Sequence, residues 1–228
     1  MRHAMRPIGA LTLAGLLSLG LACGRPPAPP ANTEPMPTAS DAAADSLLAD
    51  VRTVDSTIRV EARYATANNF TGAPLAGYEA NRIFLRREAA VALARVQRAV
   101  RRRGLGLLVY DGYRPVRATL GMVAWTERVG RTDLLDDGYI ARRSRHNMGV
   151  AVDLTLVDTA TGTPLEMGTP YDTFTDAAHT ANASGIAARN RRMLVDAMER
   201  EGFRNYDQEW WHFSYEVSGA VPFDRVVR

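Results

Sequence analysis

Two short stretches, about sixty positions apart, carry side chains able to build one reactive site. The first is Ser144-Arg145-His146-Asn147-Met148-Gly149-Val150-Ala151-Val152-Asp153, and the second is Glu209-Trp210-Trp211-His212. Together they offer two imidazoles and a carboxylate for a metal ion, with a further glutamate beside the last imidazole. Three protein ligands, an open coordination position and a nearby base are the minimum for metal-assisted hydrolysis. A histidine followed seven positions later by an aspartate is common by itself, and a histidine in an aromatic strand is often a packed core residue. Two independent features strengthen the combination. Asp153 lies in an otherwise apolar strand, where a buried charge is very costly without a partner. Glu209 and His212 supply a second donor pair.

The elements that must position these groups can be read from periodicity. Val150 to Leu156 alternates, with Val150, Val152, Leu154 and Leu156 on one face and Ala151, Asp153 and Thr155 on the other. Gly149 permits a tight turn before that strand, and Ala151 leaves room beside Asp153. Trp211, Phe213 and Tyr215 alternate with His212 and Ser214 in a closing strand. In a regular strand Glu209 and His212 point to opposite faces, so Glu209 must sit in the preceding turn or at a bulge. Upstream, Ile58 to Tyr64 reads as a half-buried strand, and the polar stretch Ala65 to Tyr78 as an ordered loop. Arg86 to Arg103 reads as an amphipathic helix and Leu107 to Tyr110 as a central strand. Asp111 to Pro115 forms a turn with the proline placed to open a helix, and Arg189 to Arg200 is a further helix. This order predicts an α+β fold with a mainly antiparallel central sheet flanked by helices.

Motifs spread along the chain carry a resemblance. Besides the two reactive stretches they include Tyr64-Ala65-Thr66, Asn69-Phe70-Thr71-Gly72, Gly77-Tyr78-Glu79, Asn81-Arg82-Ile83, Asp111-Gly112-Tyr113-Arg114-Pro115, Met167-Gly168 and Asn190-Arg191-Arg192. In these the sequence resembles the D-Ala-D-Ala dipeptidases, VanX-like zinc peptidases of the Hedgehog/D,D-peptidase fold superfamily, from about Val51 to Phe223. The resemblance implies one Zn²⁺ per chain, bound by His146, Asp153 and His212, with Glu209 as catalytic base. It implies that Arg114 stabilises the reacting carbonyl. Tyr64 and Asp172 match positions near the amino end of the substrate, and Tyr78 and Ser144 positions near its carboxylate end. Asp111, grouped with these substrate positions, matches an aspartate that orients Arg114.

The ends and composition frame this domain. Arg2, His3 and Arg6 precede an uncharged apolar run, Ile8 to Ala22, too short to span a membrane and suited to a signal-peptide core. Cys23, the one cysteine of the 228 residues, follows directly. It reads as the lipid-modified first residue of an exported lipoprotein, periplasmic or at the cell surface; cleavage near Ala22 with an incidental cysteine is the alternative. Residues 23–45 read as a Pro-rich linker from that anchor, and 46–228 as one zinc dipeptidase domain. Without Arg2 and Arg6, 26 basic residues face 25 acidic ones, so the balance points to no polyanionic partner. The runs Arg101-Arg102-Arg103 and Arg191-Arg192 read as solvated helix surfaces, not a nucleic-acid site. The expected partner is a small dipeptide, and the expected membrane contact is through Cys23 alone.

Other residues take plainer readings. His179 reads as a loop residue, with a fourth-ligand role as the alternative. Asp136-Asp137 reads as a solvated turn, and Trp210 and Trp211 as core and site-wall residues. Two functional alternatives stand beside the dipeptidase. One is a D,D- or L,D-carboxypeptidase or endopeptidase acting on cell-wall peptides. The other is a non-catalytic zinc-binding cell-wall module, against which the presence of both Glu209 and Arg114 argues.

Overall fold

Among the described residues, sixteen elements arise where the periodicities change, and the long helix over Arg87–Arg101 is one the sequence marks clearly. The computed structural model describes Met1 and residues 36–228. The expected signal peptide, Cys23 and the linker as far as residue 35 lie outside the described residues. In chain order the helices are α1 (Asp41–Leu47), α2 (Val51–Val54), α3 (Arg87–Arg101), α4 (Val116–Val129), α5 (Asp133–Asp136) and α6 (Gly185–Glu199). The strands are β1 (Leu48–Asp50), β2 (Arg59–Val60), β3 (Phe84–Arg86), β4 (Leu105–Asp111), β5 (Ala151–Asp158), β6 (Phe203–Tyr206) and β7 (Glu209–Tyr215). Short 3-10 turns cover Arg63–Ala65, Arg145–Met148 and Asp176–Ala178.

Five strands form the central sheet in the order β2-β4-β5-β7-β6, antiparallel except for the β2–β4 pair. The expected α+β class with a mainly antiparallel sheet is what the chain adopts. Val152, Leu154 and Leu156 of β5 join Leu93 and Val96 of α3, and Leu194 and Met198 of α6, in the larger core. Asp153 and Thr155 therefore face the other side of the sheet, as alternation requires. A second apolar cluster lies around α4, with Met122 and Val123 against Tyr64, Tyr113, Ile140 and Phe223. The arginines at 101, 102 and 103 are exposed, whereas Arg191 is buried, donating to the Met167, Ala177 and His179 carbonyls.

Several boundaries differ from the sequence reading: α6 begins at Gly185 instead of Arg189, β4 extends to Leu105 and Asp111, and two further differences change what is buried. The strand expected over Ile58 to Tyr64 pairs only at Arg59–Val60. Its ladder stops because the Asn81 side chain takes the Ala62 amide at 2.8 Å, after which the chain coils and buries Tyr64. The linker expected to run to residue 45 gives way earlier. Ala39 donates to the Pro222 carbonyl at 2.9 Å, Ser40 caps α1, and Ala44 is fully buried. Alanine-rich sequence carries too little amphipathic contrast to announce so short a helix.

Candidate metal centre

Three adjacent strands bring three site residues together through their register. Asp111 on β4 stands opposite Asp153 on β5, which stands opposite His212 on β7. Facing residues on paired strands lie within side-chain reach of each other. A shift of register between Val109 and Asp111 swings the end of β4 so that Asp111 joins this row.

His146 arrives from the turn before β5. Ser144 caps that turn, its Oγ accepting from the His146 amide at 3.2 Å, while Asn147 Oδ1 accepts from the Ser144 amide at 3.1 Å. Gly149 ends the turn at φ 68°. A Cβ there would meet Leu48 Cδ2 at 2.6 Å. Gly149→Ala is therefore expected to cost about 2–4 kcal/mol, from left-handed strain plus overpacking, as read by denaturant unfolding.

Glu209 reaches the same site through the bulge anticipated from its spacing. One step along β6, Asn205 to Tyr206, is matched on β7 by the step from Phe213 to Glu209. Asn205 pins the excess residues, its Nδ2 donating to the Glu209 and His212 carbonyls at 3.1 and 3.0 Å. The result places Glu209 Oε2 3.8 Å from His212 Nδ1.

The donor atoms form a triangle. His146 Nε2 lies 3.2 Å from His212 Nδ1, His212 Nδ1 lies 3.0 Å from Asp153 Oδ1, and His146 Nε2 lies 3.4 Å from Asp153 Oδ1. His146 Nδ1 is 2.7 Å from the Gly112 carbonyl. A carbonyl only accepts, so Nδ1 carries the proton and Nε2 turns its lone pair inward. Gly112 can approach because it has no side chain; a Cβ would sit 2.6 Å from Ile83 Cγ2 and 2.7 Å from Phe84 O. Bond lengths of zinc to nitrogen and oxygen imply ligand separations of about 3.3–3.5 Å around a tetrahedron. The triangle matches that spacing, and its lone pairs converge where a cation would neutralise them. The residues therefore fit a metal ion, with two nitrogens and one oxygen as donors.

Electrostatics agree with this assignment. Burial works against the charge on Asp153, yet the His146 and His212 imidazoles hold its carboxyl well below the usual range. Burial pushes His212 down, which favours the neutral, ligating form. Glu209 is buried and pushed well above the usual carboxylate range by that burial, with the charges of Asp153 and Asp172 adding to it. Asp172 is pushed up to about 8 by burial and then by Asp153. It is also the one described non-glycine residue with positive φ, at 59°. Such backbone strain gathers at sites that need a side chain aimed.

Arg114 is held from behind. Its Nε and Nη2 donate to Asp111 Oδ2 at 3.0 and 2.8 Å, and its guanidinium lies over the Tyr64 ring at 5.1 Å. Asp111 Oδ1 in turn accepts from the Tyr78 hydroxyl at 2.6 Å. This corrects the expected substrate-side place of Tyr78, whereas Asp111, though grouped with the substrate positions, sits where an aspartate that orients Arg114 is expected. Both are buried beneath Arg114 and neither lines the cavity, because the Tyr78 hydroxyl turns to the carboxylate that orients the guanidinium. Tyr64 and Asp172 do lie together at the cavity wall, the tyrosine donating to the carboxylate at 3.1 Å. Ser144 lines the same cavity, and Phe70, Tyr139, Phe174 and Tyr206 complete it. Its volume is about 260 Å³, below the range typical of drug-sized ligand pockets. His179 bonds Tyr139 at 3.0 Å and does not join the ligand trio. Sequence reading missed the pinning role of Asn205, whose only signal was a polar run before β7.

Comparisons with known proteins agree on one family. The family model described as D-ala-D-ala dipeptidase matches residues 44–225. The chain is similar to a D-alanyl-D-alanine dipeptidase of Enterococcus faecium, 40% identical over 172 residues, covering 68% of this chain and 85% of the relative. A protein of the same name from Streptomyces coelicolor is 39% identical over 174 residues, covering 70% of this chain and 86% of the relative. One from Escherichia coli is 32% identical over 177 residues, covering 77% and 88%.

Proposed function

Because the chain belongs to the D-Ala-D-Ala dipeptidase family, we propose that it is a zinc metallopeptidase hydrolysing the D-alanyl-D-alanine dipeptide. The observation that carries this reading is the triangle of His146, Asp153 and His212 with the Glu209 carboxylate beside it. These three residues would hold the ion. When bound, zinc supplies Lewis acidity that makes water a better nucleophile and the scissile carbonyl a better electrophile.

The chain's own groups do the rest. Glu209 accepts a proton from the attacking water, a role its raised proton affinity suits, and returns it to the leaving amine. Arg114, locked by Asp111 and Tyr78, presents a fixed positive charge to the oxyanion that develops at the carbonyl. Asp172 and Tyr64 receive the substrate ammonium, and the Ser144 hydroxyl faces its carboxylate. The rings of Phe70 and Phe174 pack edge-on against each other in the cavity wall that Asp172 also lines, and help close the amino-terminal side. That closure favours a free dipeptide over a longer cell-wall peptide, since a polar site left unpaired rejects the wrong ligand strongly. The leader-like run before Cys23 supports an exported, lipid-anchored placement, suited to recovering D-alanine from released wall fragments.

Steady-state kinetics with D-Ala-D-Ala, L-Ala-L-Ala and a cell-wall pentapeptide tests the reading, alongside metal analysis. Efficient turnover is expected for D-Ala-D-Ala alone, with one zinc per chain. Preferential cleavage of the pentapeptide would transfer the assignment to a carboxypeptidase. Bound zinc without turnover of any of the three would leave a binding module.

A further inference from the structure

We propose that Tyr171 is a positioning residue for the metal centre: its hydroxyl holds the outer oxygen of Asp153, so that Asp153 offers one oxygen, Oδ1, to the ion. The inference rests on the metal reading of the His146, Asp153 and His212 triangle. Tyr171 Oη lies 2.9 Å from Asp153 Oδ2, the oxygen turned away from both imidazoles. The nearest cation to that oxygen, Arg114 Nη2, stands at 3.9 Å, outside hydrogen-bond range.

The proton count supports the direction of this bond. Tyr171 and Tyr64 have their hydroxyl oxygens 3.0 Å apart, and Tyr64 lies 3.1 Å from Asp172. Each tyrosine has one proton to give. With the Tyr64 proton on Asp172, the Tyr171 proton goes to Asp153, where a buried carboxylate oxygen otherwise has no donor among the described residues. Ring packing fixes where that hydroxyl can be. The Tyr171 ring lies 4.8 Å from Tyr110 on β4 and 5.4 Å, edge-on, from Trp211 on β7. The hydroxyl is therefore held by the same strands that carry Asp111 and His212. Groups that bond metal ligands from outside orient them, and their loss typically weakens metal binding by about 10–100-fold.

The test is the zinc affinity of the full chain, measured by competition with a chromogenic chelator, for wild type, Tyr171→Phe and Tyr64→Phe. Phenylalanine at 171 keeps the ring contacts and removes only the oxygen bonded to Asp153. Tyr171→Phe is expected to bind zinc about 10–100-fold more weakly. Tyr64→Phe, which leaves the Tyr171 proton in place, is expected to stay within about twofold of wild type. In the cobalt-substituted protein the visible bands should shift for Tyr171→Phe, as Asp153 becomes free to turn both oxygens inward. Unchanged zinc affinity in Tyr171→Phe, or an equal loss in both variants, overturns the proposal. A wild-type chain that binds no zinc would instead overturn the metal reading beneath it, so the two failures are distinguishable.

Discussion

Glu209→Gln is expected to keep its zinc and lose roughly 10²–10⁴-fold in kcat on D-Ala-D-Ala, about 3–5 kcal/mol of transition-state stabilisation. Glutamine preserves the shape of the side chain at the β7 bulge and removes only the basic oxygen. KM should change little, because Glu209 faces the reacting atoms and not the ends of the dipeptide. Metal content measured on the same preparation separates loss of the base from loss of the ion. The environment explains why this one carboxylate should matter so much. Burial and two neighbouring acidic groups raise its affinity for a proton, while Arg114 works in the opposite direction. Turnover within tenfold of wild type would contradict the assigned role.

His146→Ala and His212→Ala are expected to abolish both zinc binding and turnover. Each removes one corner of a triangle whose sides are 3.0–3.4 Å, and two remaining donors cannot hold the ion against water. Zinc per chain, measured by atomic absorption after dialysis, should fall towards zero. Hydrolysis should fall to the uncatalysed background. Retention of one zinc per chain by either variant would show that the ion sits elsewhere. The contrast with Glu209→Gln is itself informative: large kinetic defects with opposite metal contents are what separate a base from a ligand.

The grouping of the three candidate ligands was legible in part because strand alternation is a strong signal and its exception was conspicuous. A lone aspartate on the face of Ala151 and Thr155 required a partner, and the β5–β7 register supplies one in His212. The conflict between Glu209 and His212 in a regular strand was also visible in advance. The bulge resolves it, held by an asparagine side chain whose role no spacing could reveal. Tyr78 shows the opposite case. Its motif matched a substrate position, but whether a hydroxyl faces a cavity or the carboxylate behind it depends on packing between residues 33 positions apart. Tyr171 left no trace for a similar reason, since its bond to Asp153 joins a long loop to a central strand. Helix α1 was hidden because alanine alone does not distinguish a covered face from a wet one.

The imidazole of His146 takes its orientation from a main-chain oxygen, that of Gly112. No codon change can delete a carbonyl, so this support is protected from direct genetic loss in a way that a carboxylate partner is not. The vulnerability is displaced to the neighbourhood: any side chain at 112 must push against Ile83 and Phe84, and the loop that moves would carry the proton acceptor with it. Inherited defects in this tautomer should therefore surface as bulky replacements at 112, not as losses of polar groups around the histidine.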